Sequence, residues 1–154
     1  MPEGRARELF AAARVARLAT AGAEGAPRLV PVTFATAYDP EATGSRDVVV
    51  TAVDHKPKST TDLRRLRDIR DDPRVCLLAD HYEEDWARLW WVRADGRARV
   101  VEGGPAHDRA VAWLAAKYAQ YRERPPAGPA ILVEIDRWSG WSYTRDSGPL
   151  PGGE

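Results

Sequence analysis

The chain has 154 residues, 44% of them hydrophobic, and its 23 lysines and arginines balance 23 aspartates and glutamates, so its formal net charge is zero. That length buries roughly 70% of the unfolded surface, which makes one domain that folds without a disulfide or a metal. Charge neutrality argues against a general nucleic-acid or membrane-surface role, both of which call for a basic excess, and the single cysteine, Cys76, excludes an internal disulfide.

In chain order, residues 3–14 read as a short amphipathic helix carrying Leu9 and Phe10. Val15 to Thr20 alternates as a first strand. A Gly-rich turn leads to a second run, Arg28 to Thr36, and the pair reads as a hairpin with a longer loop. Pro31 makes the second run an edge or bulged strand. After the Asp-Pro and Thr-Gly-Ser signals of 38–46, Asp47 to Val53 is a third strand with three consecutive valines. Ser59 or Thr60 caps a helix to about Arg70, with Leu63, Leu66 and Ile69 as its apolar stripe. Asp71-Asp72-Pro73 ends it and Arg74 to Ala79 is a fourth strand. Leu89 to Val101 reads as a long fifth strand or as a hairpin about Asp95-Gly96. Gly104-Pro105 opens a helix whose apolar face is Val111, Leu114, Ala115 and Tyr118, and Pro125-Pro126 stops it. Ala130 to Ile135 is a sixth strand, which Trp141 to Thr144 extends. One domain is expected over 1–147, and 148–154 is expected to be a disordered tail. Strands and helices that do not alternate strictly point to an antiparallel sheet closed as a barrel.

No 18-residue apolar run or signal-type segment is present, so a cytoplasmic protein with no membrane partner is expected. Zero net charge points to an oligomer, and the absence of asparagine beside abundant Ala, Arg, Gly and Pro suggests a GC-rich bacterial genome. Cys76, in an apolar run, reads as a small core residue.

The most specific local feature is Asp54-His55-Lys56-Pro57-Lys58-Ser59-Thr60. The chain has twenty arginines and only three lysines, yet two lysines stand within three residues, directly before a helix start. A helix N-terminus already carries positive partial charge, so two cations there are unfavourable unless an anion sits among them. Lys56 and Lys58 supply charge, Ser59 and Thr60 supply hydroxyls, and the first-turn N–H groups point at the anion: a phosphate grip. The competing reading is a solvated basic loop. No Gly-rich run precedes the lysines, so this is not a nucleotide P-loop.

Six tryptophans are many for this length. Trp90 and Trp91 are adjacent, so on a strand they face opposite ways, one into the core and the other toward a ligand or a partner subunit. Asp80-His81-Tyr82-Glu83-Glu84-Asp85 is a poor metal site because its residues are consecutive, and it reads as a solvated turn. No nucleophile elbow, Cys-x-x-Cys pair or Gly-x-Gly-x-x-Gly run is present, so hydrolase triads, zinc ribbons and Rossmann dinucleotide binding find no support.

Taken together, Val15 to Thr20, Pro27 to Phe34, Thr51 to Thr60, Asp72 to Val75, Leu89 to Arg93 and Gly96 to Ala98 resemble the pyridoxamine 5′-phosphate oxidase-like, FMN-binding split-barrel superfamily. Within it the chain is most similar to the probable deazaflavin (coenzyme F420)-dependent oxidoreductases. The resemblance covers roughly residues 10–145 and implies a mainly β (α+β) fold: a six-stranded antiparallel split β-barrel with about three flanking helices, working as a homodimer with cofactor sites at the interface. It implies a ring of F420, or alternatively FMN, against Val30, Pro31, Val32, Thr33, Thr51 and Ala52, with its phosphate held by Lys56, Lys58, Ser59 and Thr60. Trp90, Trp91 and Trp141 are candidates for the partner's contribution. The implied activity is hydride transfer to a small electron-poor substrate. A non-catalytic flavin- or haem-binding role is the alternative. The chain lacks the arginine-bearing C-terminal segment of true pyridoxamine phosphate oxidases, ending Trp141-Ser142-Tyr143-Thr144-Arg145 before a Gly/Pro tail.

Overall fold

The computed structural model describes residues 1–53 and 60–146, with backbone alone at 60–63 and 145–146. The expected tail and the Lys56-Lys58-Ser59 turn lie outside the described residues. Helix α1 (Glu3–Ala12) leads into β1 (Ala16–Thr20), β2 (Arg28–Val32), β3 (Ala35–Tyr38) and β4 (Asp47–Ala52). Then come α2 (Thr60–Asp71), β5 (Arg74–His81), β6 (Trp90–Val101), α3 (Gly104–Lys117), α4 (Ala119–Glu123), β7 (Ala130–Ser142) and the single turn α5 (Tyr143–Asp146). The strands form one sheet in the order β2-β1-β5-β6-β7-β4-β3, and every pairing is antiparallel.

The two ends of that order explain the architecture. β2 and β3 occupy opposite edges of the sheet, yet only Thr33 and Phe34 separate them in sequence. Three peptide links span about 10 Å at most, so the edges must curl together. The run read from the sequence as one strand, 28–36, is therefore one bent strand in two halves. Its first half pairs with β1 and its second with β4. Counted that way, the seven strands are the six of a split barrel, and the split lies where β2 and the end of β4 part.

Alternation fills the barrel. Leu18, Val32, Phe34, Val49, Leu77, Val92 and Val133 point inward with Phe10 of α1, which lies 4.8 Å from the Phe34 ring and 5.2 Å from Trp138. A second core lies outside the barrel under α3, where Ala110, Leu114 and Tyr118 cover Val48, Val50 and Leu132. Strand β4 is thus buried on both faces, the physical reason for its unbroken run of valines. The helix uses Ala110 where the sequence reading placed Val111, which is only half-buried.

One open choice is settled and one expectation changes. Of the two readings of 89–101 the long strand holds: β6 runs straight through Asp95-Gly96, and the register on β7 skips Asp136, a β-bulge. A Cβ on Gly96 would strike the backbone of Glu134, so glycine here permits close approach rather than a turn. Cys76 is not a core residue. Val75, Leu77 and Ala79 take the inward positions of β5, which leaves Cys76 and Leu78 on the outer face.

The closure is held by a side chain from the end of α3. The Phe34 N–H, which has no sheet partner at the bend, donates to the Tyr118 hydroxyl at 3.1 Å, and that hydroxyl donates to the Arg14 carbonyl at 2.8 Å. Replacing Tyr118 with phenylalanine keeps the ring but orphans a buried N–H, at a cost of roughly 1–3 kcal/mol. Urea denaturation of Tyr118→Phe should show the midpoint lowered accordingly with an unchanged slope; an unchanged midpoint would mean that the closure does not depend on this hydroxyl.

Candidate functional site

The bend brings together residues from both sides of the split. The Thr51 hydroxyl donates to the Thr33 carbonyl at 2.7 Å, a bond across the seam between β4 and the bend. Thr51 is buried, and Ala52, packed against the outer core, follows it toward Val53. Thr33 turns outward, where its hydroxyl lies 2.7 Å from that of Tyr121 on α4. Below this point β2 has a partner, β1, on one side only. Among the described residues its other edge has no strand partner along the split, and Pro31, which lacks an N–H, suits an unpaired edge.

The residues expected at the site are therefore arranged unequally. Thr33 and Thr51 meet at the seam, and Pro31 is exposed beside them. Val32 points into the barrel core and Val30 packs against it, so these two offer the split their backbone rather than their side chains. Thr60 opens α2, and its side chain is outside the described residues, as are Lys56, Lys58 and Ser59 altogether. In sequence, the lysine-bearing segment follows β4, which ends at Ala52, and precedes α2, which opens at Thr60.

The tryptophans divide as strand alternation requires. Trp90 packs against the barrel core, while Trp91 lies on the outer face, directly across from Trp141 on β7. Trp141 stands ten residues along β7 from Ile131, the partner of Thr51, so one copy of the chain brings neither it nor the opposite Trp91 to the seam. Trp91 lines another feature: a cleft of about 460 Å³ on the outer face of β2-β1-β5-β6. Leu29, Ala19, Cys76, Leu78 and Trp91 line it, and Leu29 is 68% exposed. Two ion pairs frame it, Arg17–Asp80 at 3.6 Å and Arg93–Asp95 at 3.1 Å.

A polar cavity of about 430 Å³ lies between the β1–β2 turn and α2. Its floor is Asp68, buried and held by Arg28 Nε at 3.0 Å and the Thr20 hydroxyl at 3.4 Å. Gly22, with φ +78°, presses on that carboxylate where any Cβ would collide. Asp68 thus ties the turn to α2. In the acidic segment after β5, His81 Nε2 lies 3.1 Å from a Glu83 oxygen, and the other Glu83 oxygen meets Arg88 at 3.1 Å. Among the described residues no group of three His, Cys, Asp or Glu side chains is placed to hold a metal ion, and no helix is long and apolar enough to cross a membrane.

Sequence reasoning missed the aromatic side of the seam. Tyr118 and Tyr121 pack edge to face at 5.6 Å, the Arg14 guanidinium lies 4.7 Å over the Tyr118 ring, and the Lys117 ammonium lies 3.7 Å over the Phe34 ring while donating to the Ala13 carbonyl at 2.6 Å. Burial lowers the Lys117 pKa to about 8, with the nearby Arg14 charge adding to the shift. Burial pushes the Tyr118 phenol up.

The family model described as Pyridoxamine 5′-phosphate oxidase matches residues 2–142, and the chain belongs to that family. Among curated proteins none is a significant sequence match. Solved structures share the fold at low identity. A conserved hypothetical protein of Mycobacterium tuberculosis is 21% identical with a TM-score of 0.66, over 97% of this chain and 89% of its own. An FAD-binding protein of Mesorhizobium loti is 20% identical with a TM-score of 0.65, over 91% and 94%. The haem storage protein HutZ of Vibrio cholerae is 14% identical with a TM-score of 0.63, over 91% and 93%.

Lys117 gives the seam a measurable signature. Below about pH 8 the ammonium is charged in both folded and unfolded chains, and the fold carries its burial cost. Between about pH 8 and the ordinary 10.5 the folded chain releases this proton first, so stability rises with pH across that window. Lys117→Met has no such dependence. The melting temperature of the parent minus that of Lys117→Met should therefore increase from pH 7.5 to pH 10; a flat or falling difference would show that the ammonium is not desolvated.

Proposed function

We propose that the chain is an oxidoreductase that binds the deazaflavin coenzyme F420 along the split and passes reducing equivalents to a small electron-poor acceptor. When bound, such a coenzyme supplies a hydride from its central ring. The observation that carries this reading is the seam itself. An edge of β2 that has no strand partner among the described residues and the cross-bonded Thr33 and Thr51 form a wall, and in sequence the lysine-bearing segment follows the strand that carries Thr51. Unpaired peptide groups on β2 are suited to the polar edge of a flavin-type ring, and small Ala52 leaves room for a flat ligand. Lys56 and Lys58 contribute charge to the phosphate, with Ser59, Thr60 and the first-turn N–H groups of α2 donating to its oxygens. A ring and a phosphate are shared by F420 and FMN. The FAD-binding neighbour favours the flavin as the alternative on the same site, and the haem storage neighbour favours a non-catalytic binder as a third reading.

The chain works, in this reading, as a homodimer through the outer face of β2-β1-β5-β6. Among the described residues no helix packs closely on β5, and α2 meets β2 at its first residue, through the Asp68–Arg28 ion pair. The face combines an apolar centre with Arg17 and Arg93 against Asp80 and Asp95, equal numbers of each sign. A two-fold interface requires a patch complementary to itself, and charges of both signs around an apolar centre support that reading. A second copy seated there brings Trp91 and Trp141 to a neighbour, the route by which they reach a site that their own chain does not offer them.

Titration of purified protein with F420 and with FMN tests the first claim. Tightest binding of F420 is expected, and no measurable binding of it ends this reading. Replacing both Lys56 and Lys58 with alanine should weaken coenzyme binding by roughly 2–4 kcal/mol, and an unchanged affinity would place the phosphate elsewhere. Leu29→Asp buries a carboxylate in the proposed interface. Light scattering should report a dimer for the parent and a monomer for the variant; a variant that stays dimeric would move the interface to another face.

A further inference from the structure

We propose that the polar cavity between the β1–β2 turn and α2 is a binding site for a small zwitterion whose ammonium and carboxylate stand several atoms apart, such as a dipeptide or an ω-amino acid. The cavity stands at the turn end of β2, away from the bend, and does not rest on the coenzyme reading.

Six charged side chains line the cavity, Arg28, Arg64 and Arg67 against Glu24, Asp68 and Asp71. Two of them cancel. The Asp68 side chain is only 6% exposed, and one of its oxygens meets both Arg28 Nε at 3.0 Å and the Thr20 hydroxyl at 3.4 Å. Gly22 is wedged against the other oxygen, so this pair is a fixed floor. The other four are spare. Among the described residues Arg64, Arg67, Glu24 and Asp71 make no ion pair or side-chain hydrogen bond, although their neighbours do. Arg70 reaches Glu102 at 3.0 Å, and Asp72 is held by Arg74 at 2.8 Å. Asp71 is the clearest case. It is the last residue of α2, where free carbonyls already make the helix end negative. A carboxylate there is unfavourable unless a cation joins it, and Arg70, the basic residue of that last turn, is turned to Glu102.

Two spare cations and two spare anions around one cavity discriminate by sign. A dianion seated on Arg64 and Arg67 would meet Glu24 and Asp71, and a diamine would meet the arginines. A zwitterion satisfies both sets. Position along the helix sets the orientation. Arg64, Arg67 and Asp71 share one face of α2 with the cations first, and Arg67 and Asp71 are four residues, or about 6 Å, apart along the axis. The carboxylate of the ligand therefore lies toward Arg64 and Arg67, where a guanidinium fork takes both oxygens, and its ammonium lies toward Asp71 and Glu24. Ala21 and Ala23 give the linking atoms a short apolar wall. The volume of about 430 Å³ is near the low end of the range for small-molecule sites, roughly 300–1,000 Å³, which fits an occupant of this size. Bound there, the ligand bridges the β1–β2 turn to α2.

Isothermal titration calorimetry of the full-length protein with alanylalanine and with γ-aminobutyrate tests the site. Succinate and putrescine are the controls that carry one sign only, and glycine is the control too short to span the two sets. At least one of the two longer zwitterions should bind, and the tighter of them tells peptide ends from an ω-amino acid. Succinate, putrescine and glycine should bind at least about tenfold more weakly. Arg67→Gln and Asp71→Asn each remove one exposed charge, so the melting temperature of the free protein should stay close to that of the parent while affinity for the zwitterion falls about tenfold. The zwitterion should raise the melting temperature of the parent, and at the same concentration leave that of the double variant Arg67→Gln/Asp71→Asn unmoved. The variant Lys56→Ala/Lys58→Ala should bind it as the parent does. No heat and no melting shift with either zwitterion, equal affinity for succinate, putrescine or glycine, or unchanged binding in either charge variant each overturns the inference and leaves the coenzyme reading standing. Loss of binding in the lysine variant would seat the ligand at the proposed phosphate grip instead, and overturns the inference as well.

Discussion

One bent strand determines the rest of the molecule. Residues 28–38 serve two edges of the same sheet, and the chain changes partner within Thr33-Phe34. A barrel closed on a continuous strand would have no unpaired edge. Closing it on a strand that switches partner leaves one edge of β2 without a neighbour and opens a slot beside it. The peptide groups lost to the ladder at the bend must be satisfied elsewhere, and the molecule does so with side chains: Tyr118 for the Phe34 N–H and Thr51 for the Thr33 carbonyl.

How much of this was legible in the chain follows from which forces act locally. Strand alternation is local, so Trp90 and Trp91 could be assigned to opposite faces from sequence, and the six-strand barrel could be counted. Pro31 announced an edge for the same reason. The break at Thr33-Phe34 left no mark, because threonine and phenylalanine both favour extended backbone and nothing there resembles a turn. Asp95-Gly96 left a long strand and a hairpin both open. The dipeptide suits a hairpin and a bulge alike, and only the approach of the Glu134 backbone, distant in sequence, selects the bulged strand. Cys76 was assigned to the core from the apolarity of its run, but β5 is apolar on both faces because one faces the barrel and the other faces the uncovered cleft. Tyr121 carried no signal at all: three residues after Tyr118, it looks like one more position on an amphipathic helix, and its meaning comes from Thr33, 88 residues away.

The outer face shows how a neutral protein keeps local polarity. Arg17 and Asp80 face each other across the edge of an apolar cleft, as do Arg93 and Asp95. Exposed pairs of this kind add little to the stability of a single chain. In the proposed homodimer their value would lie in specifying the partner. An apolar patch alone would accept many surfaces, whereas one bordered by two cations and two anions would favour a copy of itself over a surface of uniform sign.

The lysines show the selectivity of the chain most sharply. Twenty arginines occupy nearly every cationic position, and the three lysines stand at 56, 58 and 117. Arginine keeps its proton at all accessible pH and offers a planar fork, while lysine is a compact charge that burial can discharge. At 117 a compact ammonium fits over the Phe34 ring and still reaches the Ala13 carbonyl, and burial brings its pKa down to about 8. An arginine there would hold a full charge in the same half-buried space with no means of relief. At 56 and 58 the two lysines stand directly before a helix in the sequence, and the proposed anion would balance them against its positive N-terminal end. The same residue type thus serves at 117 to minimise charge where the barrel closes and, in the proposed reading, at 56 and 58 to gather charge for an anion.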